Sequence, residues 1–90
     1  MIDINKFAIK SSIYESDLFS LYRVTELNKT RNYIAKVIKS PITDNELIIQ
    51  EIEFFLTIHH PAFLSLVGFS LTDFNNDPYL TIFCDDYSFL

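Results

Sequence analysis

Between Pro41 and Pro61 the sequence carries one long segment of helical period, and strand-like runs lie on both sides of it. Proline has no amide hydrogen and clashes with the preceding turn, so a helix can begin just after the first and must stop before the second. Thr43 with Glu46 three residues on forms a capping-box pattern, in which hydroxyl and carboxylate satisfy the first free backbone amides. The segment therefore predicts a helix from Asp44 to about His59. Before it, Phe7 to Ser12, Leu18 to Glu26 and Tyr33 to Lys39 are rich in aliphatic and aromatic residues and read as strands, with a polar Asn28-Lys29-Thr30 turn before the third. After it, LSLVGFSL and YLTIFC read as two more, joined by the turn-forming DFNNDP segment. The order βββαββ predicts an α+β fold, a five-stranded antiparallel sheet with one helix, over residues 1–90 as a single unit.

A chain of 90 residues with 49% hydrophobic and 16% aromatic residues forms a packed unit, but one this short buries a smaller share of its surface than a full-sized domain does. Marginal stability is expected unless a neighbour covers it. The net charge is -5, and the seven Lys and Arg are scattered without a basic stripe, which argues against a nucleic-acid partner. One cysteine, Cys84, excludes an internal disulfide framework and fits a reducing compartment. The opening MIDINKF has neither a basic n-region nor an apolar h-region, and no apolar run is long enough for a membrane span, so a soluble cytoplasmic chain is expected.

Strand periodicity sets Tyr33, Ala35 and Val37 on one face of the third strand and Ile34, Lys36 and Ile38 on the other, so Lys36 stands between two isoleucines. On the helix, Leu47, Ile48, Phe54, Phe55 and Ile58 fall within about 60° of Glu51, which centres that carboxylate on the apolar stripe. A buried carboxylate and a buried ammonium are each costly unless paired, and these two are each other's obvious partners. The alternative has Lys36 snorkelling to the sheet edge and Glu51 at the margin of the stripe, both solvated.

A strand lysine in YIAKVIK, a helix glutamate in QEIEFFLTIHHP, the His60-Pro61 pair and two further strands follow one another in an order that resembles the N-terminal lobe of a protein kinase domain over nearly the whole chain. The short spacing between Lys36 and Glu51 is more like that of tyrosine-kinase-like members than of many others, with a Ser/Thr type as the alternative. It implies that Lys36 binds the α- and β-phosphates of ATP and pairs with Glu51 on helix αC. It also implies that Leu21, Ile34, Lys36, Ile82 and Cys84 border the nucleotide, with Ile82 at the gatekeeper position and Phe83 to Cys84 in the hinge. ATP and magnesium are the implied cofactors. The implied activity is transfer of the γ-phosphate to Ser, Thr or Tyr. The H-R-D and D-F-G segments that supply base and metal ligands follow the hinge in that family, so this chain alone is expected to be catalytically incompetent.

The departures point the other way. The phosphate-covering G-x-G-x-x-G-x-V of the family falls on residues 14–21, where Tyr14, Ser16 and Phe19 replace all three glycines and Glu15 and Asp17 add negative charge. Ile34 replaces the small residue that lies against adenine. Weak or absent ATP binding is therefore expected, and the competing reading is a pseudokinase-type interaction module whose partner is a protein or a missing kinase C-lobe. Asp73-Phe74-Asn75 imitates D-F-G but lies too early and reads as a turn. His59 and His60 have no third ligand nearby, Asp85 and Asp86 read as a solvated loop, and no metal site is expected. Phe54, Phe55 and Phe63 read as core.

Overall fold

The computed structural model describes residues 2–42, 44–58 and 66–86, with backbone alone at 54–58 and 66. A short 3-10 turn, Ile4–Lys6, leads into β1 (Phe7–Glu15), β2 (Phe19–Glu26) and β3 (Asn32–Ile38); helix α1 (Asn45–Ile58) follows, then β4 (Leu66–Phe74) and β5 (Asp77–Asp85). The strands form one five-stranded antiparallel sheet, as the pattern βββαββ predicts, and the structure sets their order as β1-β2-β3-β5-β4. The crossover through α1 carries the chain from β3 past β5, so the last strand returns to the centre.

Alternation along the strands builds two apolar layers. On the helix side Leu21, Ile38, Leu80, Ile82 and Cys84 are buried with Ile42 and with Ile48 of α1, while Ile34, Ile52 and Phe69 pack against them. On the other side Val24, Tyr33, Ala35 and Phe83 form a second cluster, covered by Ile2, Ile4, Phe7 and Tyr22. The N-terminal segment that supplies this cover is pinned at both ends, by the Ile2 amide donating to the Phe69 carbonyl at 2.9 Å and the Leu27 amide donating to the Lys6 carbonyl at 2.7 Å. Gly68 makes room for it: a Cβ there would meet the Ile2 side chain at 2.8 Å. With both faces of its C-terminal half covered, β5 is buried without a break from Leu80 to Asp85.

Local signals explain the ends of the elements. The capping carboxylate of α1 is Asp44, whose Oδ1 accepts from the Glu46 amide at 2.9 Å; Thr43, the expected cap, lies outside the described residues. His59, His60, Pro61 and Phe63 lie outside them too, as do the side chains of Phe54, Phe55 and Ile58. Asn75 and Asn76 carry β4 into β5, both at positive φ (52° and 67°), which is what a two-residue hairpin turn of the twist-matched kind demands. Asp73 and Phe74, read from the sequence as turn, are the last residues of β4, paired with Pro78 and Asp77, and only Asn75 of the D-F-N imitation lies in the turn. At the other edge β1 runs three residues beyond its expected end, with two irregularities in its register, and all of it after Phe7 is exposed.

The hairpin gives a direct test. Glycine adopts positive φ without the Cβ penalty that asparagine still feels, so Asn76→Gly is expected to raise stability by about 0.5 kcal/mol, and Asn76→Val to lower it by about 1–2 kcal/mol. Urea unfolding midpoints in the opposite order would show that this turn does not set the hairpin.

Candidate functional site

Lys36 lies on β3 opposite Leu21 of β2 and Ile82 of β5, in the middle of the sheet. Its side chain is only 4% exposed. The ammonium finds two partners from different elements: Glu51 Oε2 of α1 at 3.5 Å, and the face of the Phe19 ring of β2, whose centroid is 4.5 Å from Nζ. A carboxylate and a ring quadrupole both attract the ammonium in a place where water is largely excluded. The sequence-derived pairing of Lys36 with Glu51 is thus present.

The helix is rotated from its expected setting. Ile48 and Ile52 face the core, whereas Leu47 is 43% and Ile49 57% exposed. The inward direction lies about 80° from Glu51 on the helical wheel, which leaves the carboxylate at the margin of the stripe, its side chain 39% exposed. The two halves of the pair therefore obey different rules. Lysine reaches inward from a covered strand, and glutamate leans over the rim of the helix to meet it.

Leu21, Ile34, Ile82 and Cys84, drawn from the sequence as neighbours of one pocket, share the helix-side face with Lys36. Their registers are adjacent: Lys36 opposes Ile82 and Ile34 opposes Cys84. Leu21, Ile82 and Cys84 are buried, so in this arrangement they form core. Burial pushes the Cys84 thiol up to about 12, with the adjacent Asp85 carboxylate adding to the rise.

The β1–β2 connection leads directly into Phe19, the residue whose ring meets Lys36. Ser16 closes it: its hydroxyl accepts from the amides of Leu18 and Phe19, both at 3.2 Å, and donates to the Phe19 carbonyl at 3.0 Å. The Ser16 amide also donates to that carbonyl, at 3.0 Å. A serine in this place offers the turn its own local acceptor, so the amides point inward. Tyr14 stacks at the edge of the Phe19 ring, with centroids 5.4 Å apart.

Two expectations are corrected at the end of β5. Phe83 and Cys84 are strand residues paired with Ala35 and Ile34, so they form no hinge. Asp85 and Asp86 are buried, not a solvated loop. Arg23 of β2 reaches Asp86 with Nε 2.5 Å from Oδ2, and Arg31 ahead of β3 reaches Asp85 at 2.6 Å. The Asp86 side chain is fully buried, while its arginine is about a third exposed. Sequence reasoning missed this clamp because arginine and aspartate lie far apart in the chain; the signal was an arginine on the helix-side face of β2, two positions from Leu21. Among the described residues no group of three or more His, Cys, Asp or Glu is placed to hold a metal ion, and no helix is long and apolar enough to cross a membrane.

Comparison with family models, curated proteins and solved structures finds no match for this chain.

Two measurements check the site. Glu51→Ala leaves the Lys36 ammonium with less compensation in a covered place, and is expected to cost about 1–3 kcal/mol in denaturant unfolding, with Glu51→Gln between it and the parent. A loss under about 0.5 kcal/mol would mean that the pair is idle. For Cys84, the thiolate is the reactive form, and a thiol held near 12 stays protonated at pH 8, so alkylation by iodoacetamide should be slow in the native chain and fast in denaturant. Equal rates in the two conditions would contradict the burial.

Proposed function

We propose that this chain is a protein-kinase-like N-lobe module whose Lys36–Glu51 pair fastens helix to sheet, and that it serves as an interaction module without nucleotide chemistry of its own. The observation that carries this reading is the enclosure of the Lys36 ammonium between Glu51 and the Phe19 ring, with 4% of the side chain exposed. A phosphate needs to reach that ammonium, and here an aromatic face occupies the approach. The turn from Ser16 to Phe19 adds to it, since the amides of Leu18 and Phe19 bond to the Ser16 hydroxyl instead of facing outward as a phosphate cradle would require. Glu15 and Asp17 beside that turn would repel a triphosphate.

The natural partner in this reading is a protein surface, either a kinase C-lobe or a separate chain, covering apolar side chains that the fold leaves open. Leu18, Leu47 and Ile49 are exposed, and burying them would add to the marginal stability expected of so short a chain. A lone thiol kept within the core suits the cytoplasm, where we place the protein.

A second reading, an N-lobe that handles ATP once a C-lobe completes it, is favoured by the common face of Leu21, Ile34, Lys36, Ile82 and Cys84. In that case Phe19 would have to swing away, and a hinge would begin after β5. Thermal unfolding in a series of ATP and magnesium concentrations separates the two for this chain. Ligand at a hundred times its Kd stabilises by about 2.7 kcal/mol, so binding is easily seen. No saturable shift is expected up to millimolar ATP. A saturable shift at sub-millimolar ATP that disappears in Lys36→Ala would overturn the proposal in favour of the second reading.

A further inference from the structure

The face of the sheet opposite α1 holds a cavity of about 140 Å³ that the Lys36 site does not use. Ile4 and Phe7 of the N-terminal segment roof it, and Val24, Ala35, Val37 and Phe83 are among its walls. The space is open on one side, where Ile9, 65% exposed, stands at its rim, and its apolar lining lacks dispersion partners across the gap. Here the roof cannot settle into it. The strap is tied at Ile2 to the Phe69 carbonyl and at Lys6 to the Leu27 amide, and beneath it Ala35 stops short at a single methyl.

From this geometry we infer that the cavity is a binding site for an uncharged, ring-sized apolar small molecule. Its size is close to that of an engineered cavity of about 150 Å³, lined by Leu, Ile and Phe, which stays dry and takes benzene. Among the described residues no charged side chain lines it, and the polar side-chain groups in its wall are the hydroxyls of Tyr22 and Thr81, so a charged ligand would lose hydration there without compensation. Entry is from the wider, shallower cleft alongside, of about 430 Å³, which shares Ile4, Val37 and Thr81 with it. The site is independent of whether Lys36 meets a nucleotide, since it lies on the other side of the sheet.

Benzene is the probe, titrated into the full chain with methyl resonances observed by NMR. The expected result is saturable shifts confined to Ile4, Val24 and Val37, with intermolecular NOEs from benzene protons to those methyls. Ala35→Leu, which fills the floor, should weaken binding at least tenfold. Should that variant fail to fold, the NOEs in the unmodified chain decide. Absence of saturation, binding unchanged in folded Ala35→Leu, or shifts spread over exposed Leu18, Leu47 and Ile49 would each overturn the inference.

Discussion

A positive charge in the middle of a sheet is the constraint around which this chain is arranged. Lys36 has strands on either side of it and a helix above it, so its ammonium must be neutralised from within the fold. No single element supplies the answer. The carboxylate comes from α1 and the aromatic face from β2, so the charge is met by a helix setting that brings Glu51 to the rim and a β2 register that brings Phe19 over Nζ. A covered charge is satisfied only where its partners reach it, a directional demand that an apolar residue at position 36 would not make.

The same constraint accounts for what was legible in the sequence and what was not. Element order, the turn at Asn75, the alternation on β3 and the meeting of Lys36 with Glu51 all follow from local pattern, because period and turn chemistry are properties of neighbouring residues. The setting of α1 did not follow. A helical wheel weighs Leu47 and Ile48 alike, yet the sheet offers a surface to only one edge, and the choice of Ile48 and Ile52 depends on where the linker fastens. Ile42 decides that: its amide donates to the Pro78 carbonyl at 2.8 Å and its side chain enters the core just before the helix begins.

The end of β5 was the least legible part of the candidate site. Two consecutive aspartates read as a loop because an unpaired carboxylate belongs in water. Arg23 and Arg31 reverse that by meeting Asp86 from β2 and Asp85 from just ahead of β3, and a bidentate-capable, permanently charged group is well suited to keep a carboxylate in a covered place. The N-terminal strap was equally hidden. Its only trace in the sequence is the solitary glycine, whose missing side chain matters because Ile2, which lies 66 positions earlier, presses against it.

Being covered on both sides gives β5 a kinetic consequence. Strands at the border of a sheet open first, because they lose few contacts in doing so, whereas a strand flanked by β3 and β4 and roofed on both faces opens only when both layers part. Amide protons should therefore exchange in a gradient from β1, which is bare beyond Phe7, inward to the β3–β5 spine, with Leu80 to Cys84 last. The chain thus has a slow centre and a fast margin, and the strand carrying Lys36 belongs to the slow part.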